Sequence, residues 1–198
     1  MRVLVACEYT ATVRDAFRNR GHDAWSCDLL PTTGDPSFHI EGDVTRHLNE
    51  GWDLMIAHPP CTHLTKLRAP HGGYGSEDNL EQMMGIAFVY QLWNAPIPKV
   101  CVENPVGILS SVWRKPDQYI HPHEFGHPYT KKTCLWLRGV PRLKPTKMVI
   151  PESPWVEGGS RLVARGYTPK VDRDKTFTGW AEAMAEQWGG VLSCPAHG

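Results

Sequence analysis

The chain has 198 residues, enough for one domain with a real hydrophobic core and no disulfide staples, and no second folded domain is expected. Its 21 Lys and Arg balance 21 Asp and Glu, so the whole-molecule field steers nothing toward polyanions and any nucleic-acid contact must come from a local patch. Six cysteines, at 7, 27, 61, 101, 134 and 194, follow no regular spacing and no apolar stretch reaches membrane length, as expected of a soluble cytoplasmic protein in a reducing compartment.

Met1-Arg2-Val3-Leu4-Val5 runs straight into a strand without the layout of a signal peptide, and Val3 to Cys7 is continuously apolar, as buried parallel strands are. Thr10 is the expected cap of a helix in which Val13, Ala16 and Phe17 share one face, while Arg14, Arg18 and Arg20 fall mostly on the other, until Gly21 stops it. A second strand within His22 to Leu29 ends in Ser26-Cys27-Asp28, and Pro31 to Pro36 is loop. Strand, helix, strand opens a doubly wound, Rossmann-like, mostly parallel α/β sheet with helices on both faces. An acid at the tip of the second strand of such a sheet commonly holds the two hydroxyls of a ribose, which makes Asp28 a cofactor candidate; the competing reading is a surface acid capping a turn. Glu41-Gly42-Asp43-Val44 brings a further acid to that edge, with Asp43 a candidate to meet the cofactor's base.

The next stretch, Asp53 to Thr62, is the one the rest of the chain serves. Leu54 to Ala57 has strand length, and Pro59-Pro60 cannot continue a ladder, so the chain leaves the sheet there as a rigid loop. Cys61 then lies just past a strand's carboxyl end, the edge at which open α/β sheets bind ligands. A lone cysteine is more often a small buried hydrophobe, and Pro-Pro more often a turn. A second such run shifts the balance: Val100-Cys101-Val102 ends in Glu103-Asn104-Pro105, so a thiol and an acid could face one pocket.

Residues 62–75 are polar and Gly-rich and read as a lid loop. From Ser76 a helix is predicted, with Leu80, Met83, Met84, Ala87, Phe88, Gln91 and Leu92 at helical spacing and Pro96 and Pro98 ending it; its Met and aromatic stripe is expected in the core. Trp113-Arg114-Lys115 is placed to lie near a phosphate. Ile120 to Leu137 is a loop feeding a strand, and its histidines with Cys134 raise a zinc reading. That reading is set aside, because structural zinc wants tightly spaced ligand pairs whereas Cys134 heads an apolar strand and prolines scatter the histidines; no metal is expected. Residues 139–166 are irregular, and Thr176 to Trp188 forms a closing helix whose Trp180, Ala183, Met184, Gln187 and Trp188 can face the sheet.

With Pro59-Pro60-Cys61, then Glu103-Asn104-Pro105 a strand later, then Phe125-Gly126-His127-Pro128-Tyr129-Thr130-Lys131-Lys132 leading into a strand, the chain resembles the cytosine carbon-5 DNA methyltransferases. It is more similar still to short proteins of this type encoded by bacteriophages. The likeness covers roughly the first two-thirds of the chain, plus the last helix, which resembles the family's closing helix that returns to the cofactor site.

The resemblance implies a class I methyltransferase-like fold over residues 1–198 without a separate target-recognition domain. It implies S-adenosylmethionine as methyl donor and a cytosine flipped out of DNA as acceptor, in the cytoplasm of a phage-infected bacterium. Carbon 5 of cytosine is a poor nucleophile, so a thiolate must first add at carbon 6, the role implied for Cys61. Glu103 would protonate or hydrogen-bond ring nitrogen 3. Cys7, Glu8, Asp28, Asp43 and Pro59 would line the cofactor, with Asp28 on its ribose and Asp43 on its adenine. Pro60, Thr62, Asn104, Lys131 and Lys132 would meet the substrate.

The chain departs from that pattern in three places. The family's glycine-rich first loop here reads Cys7-Glu8-Tyr9-Thr10-Ala11-Thr12. Its Gln-any-Arg-any-Arg stretch reads Tyr129-Thr130-Lys131-Lys132-Thr133, and lysine lacks the planar fork of arginine. Residues 139–175 are too few for a recognition domain, so sequence selectivity should be low or come from another chain. Alternatives stay open: carbon-6 thiolate chemistry on a free pyrimidine nucleotide or with another one-carbon donor, and a non-catalytic nucleic-acid or partner-binding protein on a methylase scaffold. Amino-group methylation is a further one, though it uses an aromatic residue where this chain has a thiol.

Overall fold

Short apolar runs with no polar break belong in strands covered on both faces, and the centre of the molecule is made of them. The computed structural model describes residues 1–65, 77–154 and 176–190. The parallel part of the sheet holds β1 (Arg2–Ala6), β2 (Asp23–Asp28), β3 (His39–Glu41), β4 (Leu54–Ala57) and β5 (Lys99–Pro105). The antiparallel part is β6 (Gln118–Ile120) and β8 (Thr133–Arg138), giving the order β3-β2-β1-β4-β5-β8-β6. A separate two-stranded ladder joins β7 (Tyr129–Thr130) to β9 (Ser153–Pro154). The helices are α1 (Thr12–Arg18), α2 (Glu77–Trp93), the short α3 (Leu109–Val112) and α4 (Thr178–Gly189).

Alternation along each strand divides the core in two. Val3, Val5, Leu54, Ile56 and Cys101 face a layer containing Val13 and Phe17 of α1 and Trp180, Met184 and Trp188 of α4. Leu4, Ala6, Met55, Ala57, Val100 and Val102 face the opposite layer, with Val89 and Leu92 of α2 and Leu109 of α3. The result is a doubly wound sheet with helices on both faces and an antiparallel pair at one edge, a class I methyltransferase-like arrangement. Strand order reverses between β1 and β4, so the crevice between their carboxyl ends is the place where such sheets take ligands. No described helix is long and apolar enough to cross a membrane.

Three expectations are corrected. Thr10 does not cap α1: the N-cap is Ala11, without a side-chain bond, and the exposed N–H groups are taken by the Glu8 carboxylate, from Val13 N at 2.6 Å and Arg14 N at 3.1 Å. Arg14 is not on a solvent face. It is fully buried, with Nη1 donating to Ser26 Oγ at 3.3 Å and to the Asp35 carbonyl at 2.9 Å, so the guanidinium pins the loop after β2 instead of meeting water. Only the far end of the α2 stripe enters the core: Leu92 is buried in it and Phe88 packs against it, whereas Leu80, Met83 and Met84 are 57%, 59% and 63% exposed and Gln82 and Val89, outside the stripe, are buried. Apolar residues fall on more than one side of that helix, so periodicity does not pick its buried side; the sheet does. Of the lid reading, residues 66–75 lie outside the described residues, as do residues 155–166 of the irregular stretch.

Candidate active site

β4 and β5 run parallel with Ala57 beside Val102, so the residues that follow Ala57 emerge next to Glu103, Asn104 and Pro105. The prolines turn the chain out of the sheet, and Cys61 closes the turn: its carbonyl accepts from Leu64 N at 3.0 Å and Thr65 N at 3.2 Å. Two cross-strand bonds then fasten this loop to the tip of β5. Asn104, 1% exposed, donates from Nδ2 to the Pro59 carbonyl at 2.8 Å, and Ile108 N donates to the Leu64 carbonyl at 2.8 Å. Between them Gly107 bridges Thr65, where a Cβ would stand 1.9 Å from the Leu64 oxygen, so no other residue fits without moving the loop.

Cys61 is half-buried and outside any disulfide, with Pro60 and Thr62 exposed on either side and Pro59 buried beneath. The sheet cysteines differ from it in setting. Burial, with nearby carboxylates behind it, pushes the Cys27 thiol up to about 12 and holds Cys101 well above its ordinary value, and burial takes Cys134 to about 11. These are inert thiols filling space.

Glu103 does not stand alone at its strand tip. Its Oε2 lies 3.1 Å from Nδ1 of His58, the first residue past β4, and the two side chains are only 13% and 11% exposed. Burial alone would raise the carboxyl, but the His58 hydrogen bond, the His58 charge and Lys131 outweigh it and hold Glu103 below its ordinary value. Burial would equally lower His58, and Glu103 first, then Glu8, overcome it, so the imidazole is held above its ordinary value despite Lys131. His58 was not among the residues singled out from sequence, although a ring nitrogen between an apolar strand and Pro-Pro was a legible sign of a polar group at that tip.

The two lysines part ways. β8 starts at Thr133 opposite Pro105, which delivers Lys131 to the end of β5, where its charge is felt by Glu103 and His58. Lys131 Nζ is also 6.0 Å from the Phe177 ring, just before α4, so the closing helix returns to this corner. Lys132 is exposed, with Nζ 4.1 Å from the ring centroid of Tyr119 on the edge strand.

At the tips of β1 and β2 the glycine-free loop still takes glycine's shape, with Cys7 at φ 60° and Ala11 at φ 62°. Asp28 ends β2 and its Oδ1 accepts from Leu30 N at 3.0 Å; Asp43 is exposed and its Oδ1 accepts from Thr45 N at 2.9 Å and Thr45 Oγ1 at 2.8 Å. Those Thr45 bonds hold Asp43 below its ordinary value. The acids converge on Cys7, whose thiol is pushed up to about 12 by burial and then by Asp28, Cys27 and Asp43. Beside them Leu29 and Leu30 are 74% and 55% exposed. Glu8 is buried rather than open to this edge, and burial raises its carboxyl against the opposing His58 charge and the two backbone donors.

The remaining candidates are engaged elsewhere. Arg114 bonds Asp117 at 2.5 Å, and its neighbour Trp113 stacks on Trp136 with ring centroids 5.6 Å apart. His127 Nε2 accepts from Gly179 N at 3.1 Å, docking the start of α4. Among the described residues no cluster of three or more His, Cys, Asp or Glu side chains could hold a metal ion.

No family model matches the chain, and no curated protein does. Among solved structures it is similar to a protein described as a DNA modification methyltransferase encoded within a prophage (E. coli), at 13% identity and a TM-score of 0.47 over 76% of this chain and 52% of that one. It is similar also to the S. pombe Dnmt2 methyltransferase, at 14% identity and a TM-score of 0.48 over 69% and 50% of the two chains. The chain thus spans about half the length of each.

Proposed function

We propose that this protein transfers a methyl group from S-adenosylmethionine to carbon 5 of cytosine in DNA, with Cys61 as nucleophile and Glu103 as acid. The observation that supports the reading is the fastening of the Cys61 loop to the Glu103 strand tip, through the bond from Asn104 to the Pro59 carbonyl and the parallel register of β4 and β5. Thiolate addition to a ring and proton delivery to that ring require this pairing, and a buried structural cysteine does not.

The edge formed by β1, β2 and β3 suits an adenosine: Asp28 ends β2 and Asp43 follows β3, two acids able to take hydroxyl and amino donors, and two exposed leucines could cover an apolar base face. When bound there, S-adenosylmethionine supplies the methyl group. Cys61 as thiolate forms the S–C6 bond and its electrons enter the pyrimidine ring. Glu103 gives a proton to ring nitrogen 3 as that charge arrives, leaving carbon 5 electron-rich. After carbon 5 is methylated, a base takes its proton, the C5–H electrons re-form the C5–C6 double bond, and Cys61 leaves as thiolate with the S–C6 pair. Asn104, tied to the Pro59 carbonyl, holds the loop in register, and Lys131 holds positive charge beside Glu103. DNA contacts come from local cations, as the zero net charge demands.

DNA carrying 5-fluorocytosine tests the chemistry. The protein with S-adenosylmethionine should leave a denaturant-stable adduct that Cys61→Ser cannot form, and calorimetry at millimolar S-adenosylmethionine should show binding heat. A second reading keeps attack at carbon 6 and takes a free pyrimidine nucleotide or another one-carbon donor; the glycine-free loop favours it. An adduct on 5-fluoro nucleotide and none on DNA selects it, and no adduct on either leaves a binding protein.

A further inference from the structure

His58 is held at one end only. Nδ1 faces Glu103 Oε2 at 3.1 Å, while Nε2 is buried without a hydrogen-bond partner. An imidazole bonded at both nitrogens is locked in one tautomer, whereas this ring is tied to a single carboxyl oxygen. Glu8 also acts on the ring by its charge, while its two oxygens accept from Val13 N and Arg14 N rather than from His58. The groups facing the ring are therefore Glu103 from β5, Glu8 from the β1–α1 loop, and Lys131 from the approach to β8. Two carboxylates outweigh one ammonium, so the site retains a proton that Glu103 alone would lose.

We propose that His58 and Glu103 share one exchangeable proton, and that His58 is the positioning residue that keeps this proton available for Glu103 to deliver to the pyrimidine. The inference rests on the cytosine reading above and adds the source of the proton to it. In the resting pair the proton sits on Nδ1 and Glu103 is a carboxylate. When a ring nitrogen with a free lone pair arrives, the Nδ1–H bond breaks and an O–H bond forms on Glu103. A half-turn of the carboxyl carries that hydrogen to ring nitrogen 3. As the S–C6 bond forms, the O–H bond breaks and the N3–H bond forms, leaving a carboxylate beside a neutral His58. When Cys61 departs, the ring electrons return and the proton goes back to the pair. A purely structural ion pair at this place would make no such demand on pH.

The test is the pH profile of adduct formation on 5-fluorocytosine DNA for the wild type and for His58→Asn, which keeps an N–H donor at similar reach but carries no titrating proton. The alkaline limb of the variant should move to acid by about one pH unit, giving a ~tenfold loss near pH 8 and little loss near pH 5.5. An equal loss at every pH, or an unchanged profile, overturns the proposal. A second measurement needs no substrate: nitrogen-15 NMR of labelled histidines should show His58 titrating above free imidazole and falling in Glu103→Gln. A His58 that is already neutral at pH 6 in the wild type refutes the shared proton outright. If the wild type forms no adduct on DNA or nucleotide, the cytosine reading has failed and the delivery step falls with it, while NMR still decides the pair.

Discussion

The carboxyl ends of β4 and β5 and those of β1, β2 and β3 lie along one edge of one sheet, yet they are built differently. At β4 and β5 side chains and loops bond across strands: Asn104 to Pro59, His58 to Glu103, Ile108 to Leu64 over Gly107. At β1 to β3 each acid side chain is satisfied by its own turn, Asp28 by Leu30, Asp43 by Thr45 and Glu8 by the start of α1. The cross-linked half can hold reacting groups to a fraction of an ångström, as covalent chemistry needs. In the other half the backbone also bonds across tips, Cys7 N to the Cys27 carbonyl and Gly42 N to the Asp28 carbonyl, but the acid side chains are tied within their own turns, so the loss of one should weaken binding without dismantling the rest.

If that contrast holds, substitutions in the first half should be severe and coupled, and those in the second mild and additive. Cys61→Ser should abolish the stable adduct altogether, read by denaturing gel. Glu103→Gln should slow adduct formation by about 10²- to 10⁴-fold in single-turnover kinetics, the span typical of a lost general acid. Gly107→Ala puts a Cβ on the Leu64 carbonyl, so thermal melting should show about 1–3 kcal/mol of destabilisation together with slowed adduct formation. On the binding side, Asp28→Ala should weaken S-adenosylmethionine by about tenfold in calorimetry, with the adduct rate at saturating donor nearly unchanged. A rate loss at saturation would erase the division between the halves.

The smallest effect is a pH dependence of stability. Glu103 is held below its ordinary 4.5, so its contribution is present above that value and lost as pH falls through the lowered one. His58 is held above its ordinary 6.5, so its contribution is present below that value and lost as pH rises through the raised one. The stability gap between wild type and Glu103→Gln in urea melts should therefore be widest between about pH 4.5 and 6.5 and shrink on both sides; a gap independent of pH would mean the pair is not charged.

Cys61 and Glu103 were legible because each follows a short apolar run whose end is marked by residues that cannot prolong it, prolines in one case and a charge in the other. Asp28 was legible on the same grounds, and the competing reading written beside it, an acid in a turn, describes the bond it makes to Leu30. Arg14 was misread because a guanidinium at a helical position opposite apolar residues looks solvated, and only the loop folded over it supplies the carbonyl and hydroxyl that make burial tolerable. Lys131 and Lys132 are indistinguishable as letters; the start of β8 sends one toward Glu103 and the other over Tyr119.

Sequence by itself determined the buried strands β1, β2, β4, β5 and β8, the doubly wound class, and the acid at the end of one of those strands and the thiol past the end of another, because continuous apolar runs and their breakers act over a few neighbouring residues; β6, β7 and β9, too short for such a run, were not legible as strands. Tertiary structure alone decided which side of α2 is covered, that Glu8 and not Thr10 takes the first N–H groups of α1, and that His58 meets Glu103 across 45 residues of chain. Those outcomes depend on which groups meet in low dielectric after the sheet has closed, and that meeting is not written in any local pattern.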